Sequence, residues 1–366
     1  MAKTKAHVDY IFLALAMILL ITGLVVMQSA SVVLSFNRSG TNSYYFFHQV
    51  LYGGLIGLAI MFITSKINYH FWRKIIPVVL LVSLVLLALV KVPGLGLEAN
   101  GASRWIAVGP IVIQPAEIAK LALIIYLAGW LTEKRKHLQH FTYGLLPALS
   151  IIGLMSLLIL WQPDIGSMLV VAATGFIMLF AGGVPLKQLF VLLSISTALL
   201  FIIIKLEPYR MNRLIAFLDP EHDPLGIGYQ IRQARLAIGS GGLWGFGYGG
   251  SRQKYNYLPE VMGDSIFAVA AEELGFVRIL GIIVLMAAFI FRGIRISLRA
   301  PDQFGKMLTV GIITFFAVQT CINIGAIIGV LPLTGVPLPL FSYGSSSLVV
   351  SLAAIGIVLN ISKNTA

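Results

Sequence analysis

Long apolar runs constrain this sequence more than any other feature. Several of them approach the roughly 20 residues that an α-helix needs to cross a bilayer; two examples are YIFLALAMILLITGLVVM and IIPVVLLVSLVLLALV. Hydrophobic residues make up 58% of the chain and charged residues only 11%, whereas a soluble domain has roughly 45–50% apolar residues. The sequence therefore predicts an all-α polytopic membrane protein that forms a single domain over residues 1–366.

The apolar runs place about ten membrane helices along the chain. Their positions are about 10–29, 46–65, 75–92, 114–131, 144–161, 167–183, 187–206, 264–292, 306–330 and 342–362. The first run is longer than the roughly 7–15 apolar residues of a secretory signal, so we expect it to be retained. Lys and Arg accumulate in alternate short connections, for example around Arg73 and Arg135, which marks those connections as cytoplasmic. The sequence thus predicts that the N- and C-termini are both cytoplasmic.

The charge and the cysteine content exclude two classes of site. The net charge of +12 does not indicate nucleic-acid binding, because the cations lie in short connections between apolar runs. A single cysteine, Cys321, excludes an internal disulfide and a cysteine-based metal site. We therefore expect no nucleic acid among the partners.

One connection is much longer than the others: residues 207–263 form a large outer loop between the seventh and eighth runs. The loop is too apolar for a solvated linker, and its stretch QIRQARLAIGS has the pattern of a short amphipathic helix. The glycine-dense stretch 239–250 lacks the Gly-Lys-Ser/Thr of a nucleotide-binding loop. We interpret it as tight turns and close backbone packing beneath an outer cap.

Carboxylates in or beside the apolar runs are candidates for function, because a charge at membrane depth is costly unless it is paired or used. Five of the 14 acidic residues lie there: Glu117, Asp164, Asp264, Glu272 and Glu273. Glu117 and Lys120 are three residues apart and share a helical face, so we interpret them as an ion pair that fixes helix packing. Asp164, in WQPDIGS, is interpreted as a turn or N-cap residue.

Asp264 allows two interpretations. It stands at the start of an apolar run, where a helix N-cap would keep the pKa of its carboxyl low. It also lies where the outer loop meets the membrane, near Arg252 and Lys254. At such a boundary the pKa of a carboxyl group can be raised toward neutral pH, and the group can then act as a general base. Glu272 and Glu273 follow in the same run, and we expect them to anchor this helix to its neighbours.

Cations in the outer half of the chain exceed what solubility requires. They are Arg104, Arg210, Arg213, Arg232, Arg235, Arg252 and Lys254. Arginine and lysine facing an apolar groove are suited to a lipid-linked phosphate. Contact with anionic lipid headgroups is the alternative for several of them.

Three prolines, Pro332, Pro337 and Pro339, interrupt the pattern between the last two runs. Irregular backbone at membrane depth must be buried in protein or line a cavity. Tyr343 and the serines 345–347 can satisfy the backbone groups that the prolines free. We interpret this connection as packing, with a cavity wall as the alternative.

Taken together, these motifs resemble the SEDS family of shape, elongation, division and sporulation proteins. The resemblance rests on NGASRWI, QPAEIAK, WQPDIGS, YRMNRLIAFLDPEHDPLGIGYQ, AIGSGGLWGFG, SRQKYNYLPE, DSIFAVAAEELGF and LPLTGVPLPLFSYGSSS, in this order and over nearly the whole chain. The chain is more similar to the division (FtsW-like) branch than to the elongation (RodA-like) branch. The resemblance implies a ten-helix fold and a peptidoglycan glycosyltransferase that polymerises lipid II at the outer face of the cytoplasmic membrane.

The resemblance also implies roles for individual residues. Asp264 corresponds to the essential acid of the family pattern. The pyrophosphate-binding candidates lie on the outer side in the matched motifs: Arg104, Lys120, Arg210, Arg252 and Lys254. The supporting candidates are Gln114, Glu117, Asp164, Glu272, Glu273 and Ser346. No metal site made of protein residues is expected; a divalent cation (Mg or Mn) that neutralises the substrate pyrophosphate is an alternative that the sequence does not decide.

Expected partners are lipid II, a class B penicillin-binding protein transpeptidase and other divisome membrane proteins, at the division septum of a bacterial cytoplasmic membrane. A lipid II flippase, an elongation-type polymerase and a passive scaffold are the alternatives. A flippase should line a continuous path with charge on both sides, and a scaffold does not need five carboxylates in or beside its spans. We therefore expect an enzyme that works at the outer surface.

The chain departs from the family pattern at four places. Met262-Gly263-Asp264-Ser265 replaces the usual His-Thr-Asp-Phe. Ser103 stands in place of an arginine, and Arg278 and Ser345 each stand in place of a glycine. The aspartate is kept at the first of these places, so the departures bear on the fine geometry of the site.

Overall fold

The computed structural model describes residues 7–99, 102–109, 111–224 and 226–364. In chain order the helices are α1 (Tyr10–Ser39), α2 (Tyr44–Lys66), α3 (Ile76–Leu89), α4 (Pro115–Glu133), α5 (Phe141–Trp161), α6 (Ile165–Gly182), α7 (Leu186–Leu206), α8 (Pro208–Leu218), α9 (Ile227–Ser240), α10 (Ile266–Leu298), α11 (Gln303–Ile327) and α12 (Ser345–Ser362). Short helical turns at His70–Lys74 and Arg135–His137 lie in two of the connections.

The membrane helices coincide with the predicted apolar runs. Within the described ranges, nine helices are long and apolar enough to cross a membrane. The third predicted run corresponds to α3, a shorter apolar helix of 14 residues. The chain is therefore an integral membrane protein with the predicted all-α fold class.

Contacts at one end of the bundle bring together the start of α1, the end of α12 and the α2–α3 connection, where the Tyr69 amide donates to Asn360 Oδ1 (2.9 Å). Asp9 caps α1 by accepting a hydrogen bond from the Phe12 amide (2.9 Å) and pairs with Arg292 of α10 (2.8 Å). The amide of Asp9 donates to the Ser362 hydroxyl (3.1 Å). This is the end that carries the basic connections, so the positive-inside rule assigns it to the cytoplasm.

A small antiparallel sheet lies at the opposite end, between α3 and α4. Its strands are β1 (Gly96–Ala99), β2 (Ala102–Val108) and β3 (Ile111–Ile113), paired in that order. The apolar runs did not predict this sheet, because strands this short carry little periodic signal. The hydroxyl of Ser346, in the first turn of α12, donates to the Val112 carbonyl (2.6 Å) and accepts from the Gln114 amide (3.1 Å). These bonds fasten the sheet to the start of α12.

The long outer loop is a folded cap that contains α8 and α9. The amphipathic stretch QIRQARLAIGS forms most of α9, as predicted. Helix α8 was not predicted; it starts with Pro208, a residue favoured at the first helical position, and its residues YRMNRLIAFL separate into polar and apolar faces. The cap therefore places two helices beside the outer end of the bundle.

The glycine-dense stretch packs against a kink in α10; the close backbone packing was predicted, and the kink was not. Gly275 has φ 76° and ψ 173° inside α10, and a Cβ atom there would lie 2.2 Å from the Gly245 amide nitrogen. A side chain at Gly275 is therefore excluded by both the backbone conformation and the space. Arg278, which replaces a glycine of the family pattern, donates to the Trp244 carbonyl (3.1 Å).

Candidate active site

A cleft of about 1590 Å³ lies at the outer end of the bundle. Its walls come from the end of α1, the start of α2, the sheet, the start of α6, helices α8 and α9, the segment before α10 and the connection before α12. Gly335 and Pro337 of that proline-rich connection line the cleft. The connection is therefore a cavity wall as well as a packing element.

Asp264 lines this cleft, two residues before α10 begins. Its carboxylate Oδ1 accepts a hydrogen bond from Gln230 Nε2 of α9 (3.3 Å) and one from the Ser265 hydroxyl (3.5 Å). Asn323 of α11 holds the backbone by donating to the Asp264 carbonyl (2.8 Å). The N-cap position of α10 is Ser265, so the interpretation of Asp264 as an N-cap is wrong.

The surroundings of Asp264 suit a group that exchanges protons near neutral pH. Burial and, to a smaller extent, the nearby Glu260 charge raise the pKa of the Asp264 carboxyl from its usual value of 3.8 to about 6. The guanidinium of Arg213 opposes this shift by favouring the charged form. A carboxylate with such a pKa is a stronger base than a surface aspartate and remains mostly ionised at pH 7.

Three arginines line the cleft: Arg38, Arg104 and Arg213. Arg104 donates from Nε to the Gln162 carbonyl (3.2 Å) and from Nη2 to the Pro163 carbonyl. Arg213 donates from Nη1 to the Leu333 carbonyl (3.1 Å) and from Nη2 to the Tyr209 hydroxyl. A guanidinium has five N–H donors, so both side chains are fixed by the protein while donors remain for a ligand.

Of these three, only Arg104 was among the predicted pyrophosphate-binding residues. Arg213 was counted among the outer cations without being selected as a phosphate ligand, and Arg38 was not among the candidates. The signal for Arg213 was its place in α8, which becomes apparent only once YRMNRLIAFL is recognised as an amphipathic helix. No pattern in the sequence around Arg38 distinguishes it.

Lys120 lies outside this cleft, in a buried ion pair. Its ammonium contacts Glu117 Oε1 (2.7 Å) and Gln319 Oε1 of α11 (2.8 Å). Lys120 is 3% exposed and Glu117 0%. The predicted ion pair is present and also contacts α11, and the geometry does not bring Lys120 to the phosphate site proposed for it.

Lys254 is likewise held inside the protein. Its ammonium contacts Glu273 Oε1 (2.9 Å), the Ser29 hydroxyl (3.0 Å) and the Gly249 carbonyl (2.8 Å). Glu272 accepts hydrogen bonds from the Arg252 amide (3.1 Å) and the Ser251 hydroxyl. The two glutamates therefore anchor the outer cap to α10, as expected, and Lys254 belongs to that anchor.

Arg210 and Arg252 also lie away from the cleft wall. Arg210 donates to the Ile203 carbonyl at the end of α7 (3.2 Å). Arg252 is exposed, with its guanidinium 5.0 Å from the centre of the Phe246 ring. Neither lines the cleft that contains Asp264.

The remaining candidates support the cleft walls. Asp164 lines the cleft and caps α6, because its Oδ1 accepts from the Ser167 amide (2.9 Å). Gln114 is the residue before α4, and its backbone amide donates to the Ser346 hydroxyl (3.1 Å), which joins that helix to α12. The N-cap interpretation of Asp164 is thus confirmed, and Asp164, Gln114 and Ser346 all line the cleft.

Comparison with known protein families matches residues 9–366 to the cell cycle proteins of the FtsW, RodA and SpoVE type. Stage V sporulation protein E of Bacillus subtilis (strain 168) is 41% identical over 364 residues, which cover 99% of this chain and 99% of that protein. A protein of Trichlorobacter lovleyi named probable peptidoglycan glycosyltransferase FtsW is 40% identical over 359 residues, covering 98% of this chain and 93% of that protein. The sequence similarity therefore extends over essentially the whole chain.

Two solved structures share the fold. A chain of a peptidoglycan synthase complex, described for its coordination of polymerization and crosslinking, superposes with a TM-score of 0.80 at 31% identity, covering 98% of both chains. The rod shape determining protein RodA of Thermus thermophilus superposes with a TM-score of 0.72 at 29% identity, covering 98% of this chain and 97% of that chain. The similarity in fold thus extends over nearly the full length of both.

Proposed function

The chain belongs to the FtsW, RodA and SpoVE family, as the SEDS motifs predicted, and from this membership we propose that it is a peptidoglycan glycosyltransferase. It polymerises lipid II into glycan strands at the outer face of the cytoplasmic membrane. The observation that carries the proposal is one carboxylate with a raised pKa, Asp264, in a large outer cleft that two fixed arginines also line.

The geometry supports a direct displacement at a sugar carbon. Asp264 removes the proton from the 4-hydroxyl of the acceptor sugar, and the resulting oxygen nucleophile attacks the anomeric carbon of the donor's muramyl sugar. The bond from that carbon to the lipid pyrophosphate breaks, and the pyrophosphate leaves with the bonding electrons. Arg104 and Arg213 stabilise the charge that grows on the leaving group in the transition state.

Neutralising the cleft arginines should slow turnover more than it weakens substrate binding. We expect Arg213→Gln and Arg104→Gln each to lower kcat at least tenfold, or about 1.4 kcal/mol of transition-state stabilisation. Arg252→Gln and Arg210→Gln, which change outer arginines away from the cleft, and Arg299→Gln at the cytoplasmic end serve as controls. If all five variants lose activity to the same extent in a lipid II assay, the cleft arginines are not phosphate ligands.

The pH dependence of turnover should report the Asp264 carboxyl. Because burial raises its pKa to about 6, and only the ionised form accepts a proton, kcat/KM should fall as the pH decreases through 6. Below that value the fall should approach tenfold per pH unit. Glu260→Gln removes a neighbouring negative charge, so the midpoint should move to lower pH. A profile that is flat between pH 5 and 7 in both proteins would exclude Asp264 as the base.

A divalent cation has limited support from the protein itself. Among the described residues, no three His, Cys, Asp or Glu side chains converge to hold a metal ion. Mg²⁺ commonly takes most of its ligands from phosphates and water, so any such ion would arrive with the substrate pyrophosphate. We derive no catalytic step from it.

We also propose a transpeptidase partner and a place at the division septum. The structural relative with a TM-score of 0.80 belongs to a peptidoglycan synthase complex, and polymerised strands must be crosslinked to form a wall. A class B penicillin-binding protein fits this role, with other divisome membrane proteins around the pair. The name FtsW among relatives at about 40% identity supports the division branch, with elongation-type polymerisation as the alternative.

Purified protein incubated with lipid II tests the function, alone and with its cognate transpeptidase. We expect glycan polymer on a gel, and more of it when the partner is present. A flippase would instead move lipid II between the leaflets of a vesicle without forming polymer. The residues that line the cleft lie at the outer end of the bundle, which favours surface catalysis over transport.

A further inference from the structure

A row of aromatic rings forms one wall of the cleft. It consists of Tyr44, Tyr45, His48, Tyr52 and Tyr343, all of which line the cleft, and we refer to it as the aromatic wall. The ring of Tyr45 lies 5.3 Å from Tyr343 and 5.2 Å from Tyr44, in edge-to-face contacts. His48 lies 4.7 Å from Tyr52 and 6.0 Å from Tyr343. Such contacts hold aromatic rings in fixed positions, so the wall is a continuous and ordered surface.

The aromatic wall extends from the Asp264 segment to the rim of the cleft. At its inner end, the amide of Tyr343 donates to the Met262 carbonyl (2.8 Å), two residues before Asp264. At its outer end, the guanidinium of Arg38 lies 5.1 Å from the ring centre of Tyr44 and 5.5 Å from that of Tyr45. A molecule leaving Asp264 along this wall would therefore pass from ring to ring into solvent.

The backbone beneath the wall is distorted in a way that fixes its position. Residues Gln49–Leu55 of α2 form a π-helix, a rare conformation that occurs frequently at functional sites. The buried side chain of Gln49 accepts from the Gly344 amide (3.2 Å) and donates to the Ser342 carbonyl (3.4 Å). These bonds attach the π-helical segment to the connection that carries Tyr343, which brings the two parts of the wall together.

The chemistry of the wall matches a saccharide better than an acyl chain or a phosphate. The wall offers both apolar ring faces and polar groups. The Tyr45 hydroxyl accepts a hydrogen bond from Arg38 (3.1 Å), and the Tyr343 hydroxyl lies 3.1 Å from His48 Nδ1. An acyl chain would bury the Arg38 guanidinium against hydrocarbon without offering a counter-charge or a hydrogen bond, which is costly. A sugar ring has a C–H face that packs on an aromatic ring and an edge of hydroxyl and amide groups. Phosphates are better served by Arg104 and Arg213.

We propose that the aromatic wall is a binding track for the amino-sugar rings of the growing glycan strand as it leaves Asp264. The proposal rests on the proposed polymerase function, because only a polymerase must hold the strand while the next unit is added. Two consequences are separable from catalysis. The wall should bind saccharide that has neither lipid nor pyrophosphate, and weakening the wall should release strands earlier.

The test uses a soluble, peptide-free oligosaccharide of alternating N-acetylglucosamine and N-acetylmuramic acid, titrated calorimetrically into the purified full chain. We expect Tyr44→Leu and Tyr52→Leu each to bind it about two- to tenfold more weakly than the wild-type protein, the range for one aromatic contact. Both variants should also give shorter strands from lipid II. Tyr44→Phe keeps the ring and should bind normally. Tyr143→Leu, at an exposed tyrosine of the cytoplasmic end, is the matched control.

Equal saccharide affinity in Tyr44→Leu, Tyr52→Leu and Tyr143→Leu would overturn the proposal. A wild-type protein that polymerises lipid II but does not bind the oligosaccharide would also overturn it, with the polymerase function intact. Saccharide binding that depends on these rings in a protein that forms no polymer would instead reject the polymerase function and keep the saccharide site. Tyr44 is 36% exposed, so Tyr44→Leu should fold. If Tyr52→Leu does not fold, the result with Tyr44→Leu decides the test.

Discussion

Asp264→Asn is expected to reduce lipid II polymerisation by about 10²–10⁴-fold, the usual contribution of one general base. The substitution removes the proton acceptor and little else. The amide oxygen of the asparagine side chain would still accept the hydrogen bond from Gln230, and the Asp264 backbone contact with Asn323 does not involve the side chain. Because Asp264 is not the N-cap of α10, the helix should start at the same residue. The loss should therefore appear in turnover of lipid II, with the thermal unfolding temperature unchanged.

A matched control is Asp219→Asn, which makes the same chemical change in the outer cap. Asp219 is exposed and accepts a hydrogen bond from the Glu221 amide (3.1 Å), a role that asparagine can also fill. We expect this variant to polymerise lipid II at a rate close to that of the wild-type protein. A well-folded Asp264→Asn protein with near-normal turnover would show that another group accepts the proton.

Breaking the buried pair between Lys254 and Glu273 should have the largest effect on stability. Glu273→Ala would leave an ammonium that is 2% exposed without its counter-charge, and removing one partner of a buried pair costs about 3–5 kcal/mol. The effect should appear as a lower unfolding temperature in detergent. The outer cap should also become more sensitive to protease, because Glu273 accepts hydrogen bonds from the Ser29 hydroxyl of α1 and the Ser251 amide.

The double variant Lys254→Met/Glu273→Leu separates structure from catalysis. Replacing both members of a buried pair by apolar residues of similar volume is often neutral or stabilising, so this protein should recover stability that Glu273→Ala loses. If it also recovers polymerisation, Lys254 is not a phosphate ligand. A stable double variant without polymerase activity would return Lys254 to the active site and contradict its assignment as an anchor.

The sequence predicted the membrane helices well because burial in lipid imposes a strong and local requirement on composition. Each helix needs about 20 apolar residues wherever it lies, so a run such as that of α7 is visible without any tertiary contact. The strands β1 to β3 depend on partners from other segments. Helix α8, 11 residues long, is polar enough to resemble a loop. The strands were therefore missed because their pairing is not local, and α8 was missed because of its composition.

The candidate site could be predicted from the sequence where a charged residue lies beside an apolar run, because an unpaired charge there costs free energy. Asp264 was identified because a carboxylate at the edge of an apolar run requires a reason. The cations were harder, because the sequence does not show which positive charge each carboxylate pairs with. Lys120 and Lys254 were both chosen as phosphate ligands, yet each is paired with a glutamate inside the protein. Arg213 was passed over because its cleft position depends on how α8 folds.

The π-helical segment of α2 makes the length of this stretch matter more than most of its side chains. A π turn closes each hydrogen bond over five residues where an α-helix uses four, so it holds one residue more than a regular helix needs. Deleting Leu51 would let α2 become regular without rotating its two halves far from each other, because the wide turn absorbs the extra residue. The residues inside the segment would, however, move to new positions around the helix axis. The segment packs closely on α12, where a Cβ atom at Gly53 would lie 3.1 Å from Leu348 and 3.3 Å from the Ser345 Cα, so a larger residue moved to that position would have to displace its neighbours. Leu51→Ala should therefore be tolerated in polymerisation assays, whereas the one-residue deletion at the same place should not.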